Sequence, residues 1–158
     1  MPINGVAALC NCGQRGCLES VSSGWSLLRA ANQIAGKQPD SMLGQLADGT
    51  TLTLAQVAET AGQGDALTLD LLRQVGHYLG MVLANIICLL NPGEIVLGGE
   101  LMVFWKWLAP AIHQAIEANV MPQLSQQTCI RQATLGSDWI MLGAAARVLD
   151  AELNVWLV

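Results

Sequence analysis

Charge is scarce in this chain. Only 12% of its 158 residues are Asp, Glu, Lys or Arg, and seven basic against twelve acidic residues leave a net charge of −5. Gripping nucleic acid takes a basic footprint that displaces counterions. No Lys/Arg stripe or basic arm is present, so this segment is expected to make no nucleic-acid contact. Long apolar runs are lacking too. The longest, Met81 to Leu90, is interrupted by Asn85 and falls well short of the roughly 20 residues that span a bilayer as a helix. Neither a membrane partner nor a signal peptide before the first cysteines is expected. Phe and Tyr occur once each. Histidine occurs twice, as His77 and His113. Both sit in helical contexts with no acidic or nucleophilic partner at a recognisable spacing, and neither a Ser-His-Asp arrangement nor a P-loop occurs.

What is present is apolar: 53% of the chain is hydrophobic, with five tryptophans. That is a rich core, or a core plus a sizeable interface, in a length that fits one domain, residues 1–158. Trp105 and Trp107 flank Lys106 inside Phe104 to Leu108. Such a patch reads as core, as a partner surface, or as a face left open by a missing lobe. Large apolar patches are uncommon on monomers, so core is the first reading of the patch. Self-association is expected because the chain is rich in apolar residues and carries little charge. The helix from Asp65 to Leu90 and the Phe104 to Leu108 patch are its candidate contact regions.

The densest chemical signal is Cys10-Asn11-Cys12-Gly13-Gln14-Arg15-Gly16-Cys17-Leu18-Glu19. Thiolates this close together commonly share a metal, and a structural zinc takes four sulfur or nitrogen ligands in a tetrahedron. Three are visible here, Cys10, Cys12 and Cys17. Gly13 and Gly16 suit turns that fold a short loop back on itself, because glycine accepts positive φ at little steric cost. Five cysteines, three of them clustered, fit a reducing cytoplasm better than a disulfide framework. Cys88 and Cys129 lie among apolar residues and read as inert core thiols.

Beyond residues 1–20, which form the cysteine loop, the chain alternates helix and strand signals, as in a layered α/β domain. Glu19 to Ala35 reads as a helix from Leu27, Leu28, Ala31 and Ile34. Gly44 to Thr51 is loop-like. Thr53 and Gln56 have the form of a capping box, opening a helix that runs to about Gly62. Asp65 starts a long helix, apolar nearly all round in its second half and so buried on more than one side. Pro92 ends it after Leu90. Gly76 and Gly80 within it are spaced to admit another backbone, at a cost in helix propensity. Ile95-Val96-Leu97 is a short strand, and Gly98-Gly99 turns the chain into a helix over Val103 to Asn119, with a break expected near Pro110. Cys129 to Leu135 is a second strand and Asp138 to Leu153 the last helix.

The cysteine motif, C-x-C-G-x-x-G-C-x-E, resembles the zinc signature of the ROK family of repressors and sugar kinases. Gly76-His77-Tyr78-Leu79-Gly80 running into Asn91-Pro92 is similar to a long family helix. Glu94 to Glu100 resembles a family strand and glycine turn, and Gly143-Ala144-Ala145-Ala146 the start of the last family helix. The resemblance implies the C-terminal lobe of an actin-like, ribonuclease-H-like ATPase fold, without the N-terminal lobe and any helix-turn-helix. It implies a fourth zinc ligand, a His, at or beyond the start of this chain. It assigns Glu19 to sugar hydroxyls, and a carboxylate there also favours a helix N-terminus. It lays Gly98 and Gly99 against the adenosine of ATP in family kinases, beside the plainer reading of a tight turn. Glu100 departs from many family kinases, which show another glycine or serine, and matches regulators. The expected function is the sugar-sensing, oligomerising half of an N-acetylglucosamine repressor-like regulator, with the inactive C-terminal half of a glucokinase-like, ATP-dependent enzyme as the alternative. Either implies zinc, a sugar or sugar-phosphate ligand in the intact parent, and a homo-oligomer, expected as a dimer.

Overall fold

The computed structural model describes residues 1–3, 5–134 and 139–154. Apolar periodicity and helix caps set most of its elements. A 3-10 turn, Leu18–Ser20, precedes helix α1, Gly24–Lys37. The helix does not begin at Glu19 as its periodicity suggests. Ser23 stays extended at φ −140° and forms a reciprocal capping box with Ser26, which fixes the start where the free N–H groups find partners. Leu27, Ala31 and Ala35 then enter the core.

Helix α2, Met42–Ala47, occupies part of the stretch that reads as loop. It is capped by Ser41, buries Leu43 and Ala47 one turn apart, and ends at Asp48 in the left-handed region, φ 38°. Helix α3, Leu54–Gly62, carries the expected Thr53/Gln56 capping box. Asp65 caps α4, Ala66–Leu90, and its carboxylate accepts from Thr68 N–H.

Helix α4 is the centre of the molecule. At 25 residues it is long and apolar enough to cross a membrane by length and composition, which the shorter Met81 to Leu90 run did not suggest. Here Leu72, Val75, Leu83 and Ile87 lie in the core, as in the central helix of a layered domain. Gly76 and Gly80 face helix α5, Trp105–Asn119. A Cβ on Gly80 would stand 2.7 Å from both Ala115 Cβ and the Ile112 carbonyl oxygen; on Gly76 it would stand 2.9 Å from Ala111 Cβ and Leu108 carbonyl oxygen. The two glycines therefore do admit a second backbone. Pro110 does not break α5: it sits inside the helix on an exposed position.

Strands β1, Glu94–Leu97, and β2, Cys129–Gln132, pair in parallel with Glu94 opposite Cys129 and Leu97 opposite Gln132. The chain crosses between them through a 3-10 turn (Glu100–Phe104), α5 and the short helix α6, Pro122–Ser125. Ile95, Leu97 and Ile130 pack against the core. Arg131 grips Glu94 on the outer side with Nε to Oε1 at 2.7 Å and Nη2 to Oε2 at 3.1 Å. The expected end of β2 at Leu135 and start of the last helix at Asp138 lie outside the described residues.

Two expectations about surfaces change, while the Phe104 to Leu108 patch follows its core reading. Phe104 and Leu108 are fully buried, and Trp105 and Trp107 half-buried, so that patch is mainly core. Cys88 and Cys129 are exposed. Cys88 lies just past Ile87 on α4, and a one-residue step turns a side chain about 100° around the helix axis, out of the core. Cys129 points to the outer side of a strand that alternates. The exposed apolar surface lies instead at Leu89 and Leu90, at Val96, at Val103, and along the last helix, α7, Trp139–Asn154, through Met141, Leu142, Val148 and Leu149.

Candidate functional site

The cysteine loop closes through its own backbone. Cys10 N–H donates to Gln14 carbonyl at 2.8 Å, Gly13 N–H to Cys10 carbonyl at 3.0 Å, and Gly16 N–H to Ala8 carbonyl at 2.9 Å. Gly16, at φ +77°, also has the Val6 carbonyl oxygen 2.6 Å from where a Cβ would be. Glycine is required there twice over, for its φ and for the close approach. Ile3 N–H to Gly16 carbonyl and Leu18 N–H to Met1 carbonyl tie the returning strand to the first residues.

This folding gathers the three thiols. One ligand atom from each of Cys10, Cys12 and Cys17 lies within 4.8 Å of the others, with Cys12 Sγ 3.7 Å from Cys17 Sγ. Tetrahedral bonds of about 2.3 Å from zinc to sulfur put two sulfurs about 3.8 Å apart. Cys10 and Cys17 are buried and Cys12 is exposed. The thiols are electrostatically unequal. A hydrogen bond from the backbone at Gln14, then bonds from the other two thiols, hold Cys12 below its ordinary range. The bond to Cys12, then burial, pushes Cys17 up to about 11. Negative charge thus settles first on Cys12, at the open side where a cation would arrive. The cluster is able to hold a metal ion, and its all-sulfur donors suit a soft or borderline one.

Glu19 stands at the exit of the loop, in the 3-10 turn, with its carboxylate exposed and Oε2 3.9 Å from Cys10 Sγ. Its backbone carbonyl accepts from Ser23 Oγ at 2.6 Å, and the buried Ser20 hydroxyl bonds back to Cys17 carbonyl at 2.6 Å. The thiols, Glu19 and the start of α1 therefore form one hydrogen-bonded unit.

Gly98 and Gly99 sit at the end of β1. Gly99 has φ +104°, a conformation that L side chains rarely adopt. Beyond it Glu100 reaches across to α1, where its carboxylate covers Gly24 so closely that a Cβ there would collide with it. That contact brings the glycine turn to within one side chain of the helix that follows Glu19. His77 and His113 are exposed on α4 and α5 and do not join the thiols.

One participant, Arg29, escaped the sequence reading, and the contact that Glu100 makes with α1 escaped it too. Arg29 donates to carbonyls on both sides of the cysteine loop, and Glu100 bridges the two halves of the site. Arg29 had no motif to mark it, and Glu100 was marked only by its departure from the kinase pattern. Each acts through contacts set by folding.

The pattern that defines the ROK family matches residues 1–151. The chain belongs to the ROK family. It is 34% identical over 146 residues to a glucokinase of Halalkalibacterium halodurans, covering 92% of this chain and 44% of that protein. It is 33% identical over 145 residues to the DNA-binding transcriptional repressor Mlc of Escherichia coli, covering 92% of this chain and 34% of the repressor. Among solved structures, a ROK transcriptional regulator homologous to that repressor matches with a TM-score of 0.73 at 29% identity, over 84% of this chain and 33% of its own. A ROK glucokinase from Streptomyces griseus, solved with glucose and AMPPNP, matches with a TM-score of 0.70 at 26% identity, over 87% of this chain and 46% of its own. The chain spans less than half the length of each of these relatives. ROK members with both kinase and repressor names are thus similar to it to nearly the same degree.

Proposed function

We propose that this chain is the sugar-sensing and self-associating half, the C-terminal lobe of the actin-like fold, of a ROK transcriptional regulator, working in a reducing cytoplasm. The observation that carries the sugar reading is the position of Glu19, exposed beside the three-thiol cluster at the loop's exit. Cys10, Cys12 and Cys17 would hold a zinc ion, whose contribution when bound is structural: metal binding energy becomes folding energy for the loop. Held there, Glu19 presents two carboxylate oxygens to a pair of sugar hydroxyls, in charge-assisted hydrogen bonds about twice as strong as neutral ones. The glucose in the solved kinase and the N-acetylglucosamine of the repressor names make these two sugars the first probes.

Glu100 favours the regulator over the kinase. An adenosine laid on the Gly98–Gly99 turn would have to desolvate the carboxylate beside it, and burying a charge without an opposite partner is costly. The kinase reading keeps one observation of its own, the bare backbone of Gly99 in its glycine-only conformation.

Saturation-transfer NMR on the zinc-loaded chain separates the readings. Glucose or N-acetylglucosamine should receive transfer from the wild type, and Glu19→Ala, with its helical signal intact, should abolish it. No transfer to either sugar overturns the sugar reading. ATP should receive none, and transfer to its adenine protons in the wild type would favour the kinase half.

A further inference from the structure

We propose that Arg29 is the positioning residue of the cysteine loop, clamping both of its ends to α1. Its Nη1 donates to the Leu9 carbonyl at 3.4 Å, one residue before Cys10, and its Nη2 to the Ser20 carbonyl at 3.0 Å, one residue after Glu19. Every thiol of the cluster, and Glu19, lies between those two carbonyls. The guanidinium also lies over the Trp25 ring, 4.6 Å from its centroid. Trp25 is one turn earlier on the same helix, so ring and cation share one face. The indole N–H is buried with no hydrogen-bond partner among the described residues, so packing and the cation above it position the ring.

The entry strand needs such a clamp. Gly5, Ala7 and Leu9 are exposed and Val6 and Ala8 only half-buried, so between the buried Ile3 and Cys10 this side of the loop has no fully buried side chain among its described residues. Helix α1, by contrast, is fixed by its capping box and by Leu27 and Ala31 in the core. Arg29 hands that fixed frame to the loop. The role requires arginine, because a planar fork can reach two carbonyls while stacking on a ring, and an ammonium cannot. Groups that orient metal ligands from outside the coordination sphere typically change affinity 10–100-fold when lost.

The metal arm of this inference rests on the zinc reading, so its test has a second arm that does not. Zinc affinity is measured by chelator competition. Alkylation of each cysteine in the metal-free chain is followed by mass spectrometry, with exposed Cys88 and Cys129 as internal references. Arg29→Ala and Arg29→Lys should both weaken zinc about tenfold or more and speed labelling of buried Cys10 several-fold, leaving Cys88 and Cys129 unchanged. Lysine behaving like wild type overturns the fork. A rise at all five cysteines together means general destabilisation and overturns positioning, as does wild-type affinity and labelling in the alanine variant. Should the wild type bind no zinc, the zinc reading fails and Cys10 labelling alone decides the clamp. Should Arg29→Ala fail to fold, Trp25→Leu, which removes only the platform, should still speed Cys10 labelling, and unchanged labelling there refutes the clamp.

Discussion

Replacing Gly80 by alanine tests the packing of the central helix pair. On an isolated helix this change is favourable by about 1 kcal/mol, because glycine loses more backbone entropy on folding. In this fold the new methyl would meet Ala115 Cβ and Ile112 carbonyl oxygen at 2.7 Å and Ile112 Cα at 3.0 Å. That is about 0.8 Å short of the ~3.5 Å at which carbon atoms rest. The atoms struck belong mainly to the backbone of α5, so no rotamer change relieves them, and α5 must retreat. Its retreat loosens Ile112 and Ile116, which are buried. Overpacking of this kind costs about 1–3 kcal/mol, and with the added gap the expected net loss is about 2 kcal/mol. Urea unfolding followed by far-UV circular dichroism reads it as a lower midpoint at unchanged slope. Gly36→Ala in α1 is the control: nothing lies within 4 Å of its Cβ position, so it should gain about 0.5–1 kcal/mol. Adding Ala115→Gly to Gly80→Ala should restore part of the loss by removing one of the two 2.7 Å contacts. A Gly80→Ala variant as stable as wild type, or more so, would refute the close approach of the helices.

The remaining predictions concern charge, thiols and surface. Arg131, chiefly by hydrogen bonding, holds the Glu94 carboxyl below its ordinary value. This pair therefore stabilises the folded state above the unfolded carboxyl pKa of about 4.3, and the contribution fades as pH falls through the lower folded value. Glu94→Gln should be slightly less stable than wild type at pH 7, and the gap should close as the pH falls below the unfolded carboxyl value; a gap that widens on acidification contradicts the ion pair. In metal-free protein at pH 8, iodoacetamide should modify Cys12 before Cys17, whose thiol is pushed up to about 11, and the reverse order would show that the thiols are not arranged this way. The chain should self-associate at micromolar concentration in light scattering. Met141 and Val148, and likewise Leu142 and Leu149, recur seven residues apart on α7, which is one stripe of a helix. Leu142→Glu with Leu149→Glu should yield a monomer, and a wild type that is already monomeric rejects the expectation.

Where local chemistry decides an element, it was legible in the residues. Thr53 and Gln56 cap α3, Asp65 caps α4, and Asn91-Pro92 stops it, because each satisfies or removes backbone hydrogen bonds within a few residues. The glycine pair in α4 was legible for a related reason: two glycines four apart in an apolar helix lower its propensity, and close packing is what offsets that. The cysteine spacing was legible because three thiols and two turn glycines in eight residues leave few ways to fold. The start of α1 was not legible, since periodicity over Glu19 to Ala35 cannot tell a 3-10 turn from the helix after it; the choice lies with Ser23 and Ser26 exchanging hydrogen bonds. Nor was the exposure of Cys88 and Cys129. An apolar run states what a segment tolerates, and which of its sides is covered depends on neighbours placed by the rest of the fold. Arg29 and Glu100 show the same limit at the site. Read in sequence they are one charge on a helix and one after a glycine turn. Folding puts the first on the carbonyls at both ends of the thiol loop and the second over Gly24. The motif thus accounts for the candidate ligands, while Arg29, which we propose as the clamp of their loop, comes from α1. A substitution can therefore leave every motif residue intact and still loosen the site.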